Sequence, residues 1–347
     1  MAACWGTWTG RHVLSVATGA GAIYLLYRAV AEGLSSAPRG ADRYRLERPD
    51  HQDGLPVEEV LSRRACEELL EMLRAQQDGR SRSAILRSIT HCVYLMDAKN
   101  PTCSPEHVQL VASCLDDHNR DTKIQALNTL RAFATRSLFT AQVQDYYPKI
   151  LDLVISSRDT EVQVAALRLL NALPVPPNIE PLLRRTVPNL LGFLQWDNYT
   201  IQLQVLRLLI TLSRKEELLP DILNCQVQPE FLSLMNNSQP GKLLCEMLLL
   251  VEVLHGGCAK SRRPSKSPKS GSCSLYEVLF GENSHLDKHL LVMFVHPEER
   301  VQLQACKLIM SLRLYKLDAE IAAAALSKHG AGSAASLHVS PSGESIF

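Results

Sequence analysis

One helix recurs about every 40 residues along this chain, and that recurrence narrows what the chain can fold into more than any other feature. The copies read SAILRSITHCVYL from Ser83, QALNTLRAF from Gln125, VAALRLLNAL from Val164, LQVLRLLITL from Leu203 and LQACKLIMSL from Leu303. In each, a small or aliphatic residue is followed four positions later by Leu or Ile. These anchors are Ile85, Ala126, Ala166, Val205 and Ala305, and the first four are evenly spaced, each one repeat after the last. The stretch KLLCEMLLLVEVL adds Leu244, one further step along. The step from Leu244 to Ala305 is longer, and its surplus is close to the length of 257–274, which reads as a loop. A unit of this size cannot bury its apolar face alone, so its neighbours must stack against it.

The period is that of armadillo or HEAT repeats. The expected fold is therefore all-α, a right-handed superhelical solenoid. Aromatic residues are only 5% of the chain and leucine dominates the apolar set, which favours helices over strands. In 201–212 the polar residues are Gln202, Gln204, Arg207 and Thr211, and the last three share one narrow stripe. Gln304, Lys307 and Ser311 repeat it, so the recurring helix reads as an inner helix buried on most sides. Ser104-Pro105-Glu106 orders an N-cap, a first-turn proline and an acid, and Pro297-Glu298-Glu299 repeats the theme. Asp159-Thr160-Glu161 and Asp197-Asn198 stand where inner helices begin.

The hydrophobic fraction of 46% excludes a disordered chain, and a formal charge of +1 gives no global reason to expect nucleic acid as a partner. Ten cysteines are scattered without a CxxC pair, and they read as buried thiols in a reducing compartment. Cys103, His107, Cys114 and His118 are spaced so as to invite a zinc reading. However, His107 to Cys114 spans two turns of one helix, and four ligands cannot readily converge from there. The sequence has no GxxxxGK[ST], GxSxG or HExxH motif and no acid–base pair that stands out. The expectation is a chain that is not an enzyme, with no cofactor, no metal and no small-molecule substrate.

Residues 13–27 form an uncharged run, VLSVATGAGAIYLLY, preceded by Arg11 and followed by Arg28. With Val13, Val16, Gly19, Gly21, Ile23, Leu25 and Leu26 it reads as a single-pass transmembrane helix, short against the ~20 residues of a full crossing, with a cleaved secretory signal and a buried or interfacial helix as the competing readings. The arginines downstream place the body on the cytosolic side. The domain plan is an anchor at 1–34, a linker at 35–54, a repeat domain at 55–318 with a disordered basic loop at 257–274, and a low-complexity tail at 319–347.

The segment VATGAGAIYLLY, QALNTL, LLPDILNCQV and VHPEERVQLQACKLI resemble the membrane-anchored armadillo-repeat proteins of the mitochondrial outer membrane. The resemblance spans roughly 13–315. It implies an adaptor held in that membrane, binding outer-membrane and other mitochondria-associated proteins and tethering or arranging mitochondria. It further implies a role in forming the sperm mitochondrial sheath during spermatogenesis. The alternative is a soluble nuclear, chromatin-associated scaffold that uses the basic loop.

Solenoids bind along the surface lined by their inner helices. The position two after each anchor holds Arg87, Asn128, Arg168, Arg207, Glu246 and Lys307. The candidate partner-binding ladder is Arg87, Asn128, Arg168, Arg207 and Lys307, which favours an acidic peptide or protein surface. Four residues further on stand Ala132, Ala172, Thr211 and Ser311, where armadillo domains that grip extended peptides carry asparagines. A contact between folded domains fits that pattern better. In the basic loop, Ser265 and Ser267 are candidate phosphosites, where phosphate would offset Lys260, Arg262, Arg263, Lys266 and Lys269.

Overall fold

The computed structural model describes residues 57–95, 103–177, 179–261 and 273–314. The chain divides into two compact units, one ending at Leu182 and one beginning at Leu183. In the first lie α1 (Val57–Ala75), α2 (Gly79–Leu95), α3 (Pro105–Ser113), α4 (Arg120–Ala134), α5 (Ser137–Gln144), α6 (Tyr147–Ser156) and α7 (Thr160–Leu170), with a single 3-10 turn at Cys114–Asp116. The boundary falls inside α8 (Glu180–Phe193). The second unit continues with α9 (Tyr199–Ser213), α10 (Leu219–Leu223), a 3-10 segment at Pro229–Leu234, α11 (Gly241–Ser261), α12 (Leu275–Phe280) and α13 (Leu286–Phe294). A last helix, α14, is described over 299–314. Each unit is an all-α stack of armadillo-type repeats.

The repeated motif occupies α2, α4 and α7 in the first unit, where α4 packs between α2 and α7. In the second unit it occupies α9, α11 and α14, and α11 packs against α9. All six anchors are buried. Ile85, Ala126, Ala166, Val205 and Ala305 are fully enclosed and Leu244 is 1% exposed. Alanine, valine, leucine and isoleucine all serve as anchors, and each is enclosed.

Four of the six motif helices, α2, α4, α7 and α9, also begin in the same way. Asp78, Asn119, Asp159 and Asn198 stand seven positions before Ile85, Ala126, Ala166 and Val205. The Asn119 side chain accepts from the Thr122 N–H, Asp159 from Glu161 and Val162, Asn198 from Ile201, and Asp78 from Ser81. Each satisfies backbone donors that the first helical turn leaves without intrahelical partners. A glutamine three before the anchor performs a second recurring task. Gln163 Nε2 donates to the carbonyls of Val154 and Ser157, Gln202 to Leu194, and Gln302 to His296. These amides tie the motif helix to the segment before it, which explains why a polar residue is buried at Gln163 and Gln202.

Several expectations need correction. Among the described residues no helix is long and apolar enough to cross a membrane. The longest, α11, has 21 residues but carries Lys242, Glu246, Glu252 and Lys260, and α9, though mostly apolar, has only 15. Val13, Val16, Gly19, Gly21, Ile23, Leu25 and Leu26 lie outside the described residues. Among the described residues the fold is thus the solenoid without a transmembrane helix. The membrane as a partner, the place in the mitochondrial outer membrane and the tethering role do not stand, because all three depended on that helix. The basic loop is also shorter than expected. α11 remains helical to Ser261, and Ser274 forms an isolated antiparallel bridge with Gln226. Ser265 and Ser267 fall outside the described residues, as do the linker at 35–54 and the tail at 319–347.

Candidate protein-binding surface

The ladder positions divide between the two units. In the first, Arg87 on α2 and Arg168 on α7 are exposed, and Asn128 on α4 is half-buried between them in sequence register. Among the described residues neither arginine has a carboxylate partner. Because α4 packs against both α2 and α7, the three positions occupy equivalent places on neighbouring helices.

Polar contacts hold these helices in register. Thr129 Oγ1 lies 3.1 Å from the Leu86 carbonyl and 2.8 Å from Thr90 Oγ1. Thr122 Oγ1 donates to the Gly79 carbonyl at 2.9 Å. Arg136 Nη2 donates to the carbonyls of Val93 and Tyr94, both at 3.0 Å, and so occupies acceptors left open at the end of α2. Arg120 at the start of α4 pairs with Asp159 and Glu161 at the start of α7. This places an ion-pair cluster at one end of the helix row and leaves Arg87 and Arg168 outside it.

In the second unit the arrangement differs. Arg207 Nε donates to Glu246 Oε1 at 2.8 Å, so two ladder positions on α9 and α11 neutralise each other. Lys307 on α14 is exposed. The expected exposed stripe of α9 is only partly exposed. Gln204 is buried and Arg207 is half-buried in its ion pair, while Thr211 is exposed and returns its hydroxyl to the Arg207 carbonyl. In α14 the equivalent Gln304 and Ser311 meet Glu252 and His255 of α11. Of the positions where peptide-gripping domains carry asparagine, Ala132 is buried and Ala172 is exposed.

The residues read for zinc go to separate tasks. Cys103 is buried with its Sγ 3.8 Å from Cys66 Sγ. His107 Nδ1 accepts from the Ser104 N–H at the start of α3, and His118 is exposed. Cys114 is buried beside Arg82, whose Nη1 also pairs with Asp117 at 2.6 Å, and burial pushes the Cys114 thiol up. Among the described residues no group of His, Cys, Asp and Glu is arranged to hold a metal ion.

A family model described as Armadillo-like matches residues 61–275. Armadillo repeat-containing protein 12 of Mus musculus is 43% identical over 310 residues, covering 87% of this chain and 89% of the relative. The protein of the same name from Homo sapiens is 42% identical over the same length and coverage. Among solved structures, the crystal structure of an engineered protein superposes with a TM-score of 0.53 at 14% identity, over 72% of this chain and 97% of that one. A designed armadillo repeat protein gives 0.50 at 11% identity, over 71% and 98%. At such identities the two structures speak for the fold alone. Armadillo proteins of this kind are non-catalytic, protein-binding scaffolds. With its repeat anchors buried in register, and with a matching family model and close relatives along most of its length, the chain belongs to the Armadillo-like family.

Proposed function

We propose that the chain is a non-enzymatic adaptor that binds an acidic protein surface across Arg87, Asn128 and Arg168. The observation that carries this reading is the pair of exposed arginines at the same repeat position, with no carboxylate partner among the described residues. Their counterpart Arg207 is answered within the chain by Glu246, so the paired exposed arginines on neighbouring motif helices belong to the first unit. Arginine suits the task because its planar fork donates to both oxygens of a carboxylate. Asn128 adds an uncharged donor and acceptor between them, which gives the surface a direction as well as a charge.

The test is binding of a fluorescein-labelled Glu- and Asp-rich peptide to the full chain, followed by anisotropy. Replacing both residues, Arg87→Glu with Arg168→Glu, should weaken binding by roughly a hundredfold, as expected when charge complementarity is reversed at two sites. Arg207→Gln should leave it nearly unchanged, because that residue is already engaged. Equal losses in both variants would remove the assignment to the first unit.

A further inference from the structure

Two helices of the second unit carry the same motif, with Val205 of α9 equivalent to Ala305 of α14, so their positions compare one for one. In α9, Leu203, Leu206, Leu209 and Ile210 are all buried, at 6%, 2%, 0% and 4% exposure. Their equivalents in α14 are Leu303, Cys306, Ile309 and Met310. Leu303 and Met310 are 55% and 61% exposed, and Cys306 and Ile309 are half-buried. The side-chain chemistry has scarcely changed. What has changed is the neighbour, because α9 is followed by α11 packed against it, whereas no repeat helix follows α14 among the described residues.

The opened side is a continuous helix face. Leu303, Lys307, Met310 and Leu314 follow one another at spacings of four, three and four, and Leu314 is itself 61% exposed. The opposite side of the helix is already used. Val301, Ala305 and Leu308 are fully buried, and Gln304 and Ser311 contact α11. Three large apolar side chains in solvent on one face therefore mark an interaction surface rather than scattered surface leucines.

Charge identifies what fits there. In α9 the cation at the equivalent position, Arg207, is met by Glu246 of the following helix, and that glutamate stands among Leu243, Leu244, Met247 and Leu250. In α14 the cation is Lys307, exposed and without a carboxylate partner among the described residues. We propose that the Leu303–Lys307–Met310–Leu314 face is a docking surface for a helix of another protein that presents one carboxylate among leucine-like side chains, in the place that α11 takes on α9. The proposal deepens the protein-binding reading and rests on it, but it uses a different unit and different residues.

The probe is a fluorescein-labelled, stapled helical peptide with the sequence of residues 241–255 and Cys245 replaced by Ser, titrated with the full chain. Saturable binding is expected. Lys307→Glu should weaken it by roughly tenfold or more, and changing the peptide's Glu246 to Lys should restore affinity for that variant, because only a direct pair responds to charge exchange. Met310→Asp should abolish binding. The double variant Arg87→Glu with Arg168→Glu should bind the probe as the parent does, so failure of the first-unit reading and failure of this one give different results. Circular dichroism of each variant separates loss of the face from loss of the fold.

Three results would overturn the proposal. One is absence of saturable binding in both the full chain and a chain ending at 314. Another is binding by the shortened chain alone, which assigns the face to residues 315–347 of this protein. The third is self-association of the full chain in sedimentation that Met310→Asp removes, which assigns it to a second copy.

Discussion

At the scale of single residues, burial decides the chemistry of groups whose sequence context is unremarkable. Cys66, Cys92 and Cys103 are far apart in the chain and read singly as structural thiols. The fold brings them together behind α1, α2 and the start of α3. Hydrogen bonding with Cys103 and Cys92, and then burial, push the Cys66 thiol up, so it is held as a neutral, unreactive group. His255 shows the opposite direction for a base. It is 6% exposed, and burial lowers its pKa from the ordinary histidine value of about 6.5. The unfolded chain therefore takes up a proton at a pH where the folded protein keeps the ring neutral. The stability linked to this residue is present above about pH 6.5 and is lost as the pH falls through the lowered folded value. Urea unfolding between pH 8 and pH 5 should show a declining midpoint, and His255→Gln should flatten that decline. An unchanged slope in the variant would assign the acid sensitivity to other groups.

At the scale of the element, the repeat is defined as much by its polar fittings as by its apolar anchors. A capping Asp or Asn seven positions before the anchor sets where the helix begins, and a glutamine three before the anchor ties it to the preceding segment. Asn198 shows the first of these without a competing ion pair, since its side chain accepts only from the Ile201 N–H at 3.0 Å. Asn198→Ala should cost about 1 kcal/mol, the usual value of an N-cap, while Asn198→Asp should cost little. Thermal or urea unfolding of the two variants checks this directly. Asp197-Asn198 and Asp159 are visible in the sequence as helix starts because a short polar side chain before an apolar run has few other uses. Gln202 is not legible in this way. Its role depends on the Leu194 carbonyl, which the chain reversal between α8 and α9 alone turns toward it.

At the scale of the molecule, the formal charge of +1 means that no strong field draws a partner from a distance. In the function proposed above, attraction comes from a local surface, that of Arg87 and Arg168. Binding of the acidic probe should therefore weaken as salt rises from about 0.05 to 0.5 M, a range in which the screening length drops below the spacing of surface charges. The Arg87→Glu with Arg168→Glu variant should lose that dependence, and a salt response that persists would place the attraction elsewhere. The sequence by itself determined the all-α class, the length of the repeating unit, the six anchors and the helix starts at Ser104, Asp159 and Asn198. Those features are written in periodicity and in residue chemistry along one stretch of chain. The state of the ladder was decided only by tertiary structure. Arg207 and Arg168 are alike in sequence, yet one faces Glu246 on the next motif helix and the other faces solvent. Likewise, Leu203 and Leu303 stand at the same place in the same motif, and only the presence or absence of a packed neighbour makes one core and the other surface. Pairing and burial are relations between segments a whole repeat apart, and no local pattern within either segment carries them.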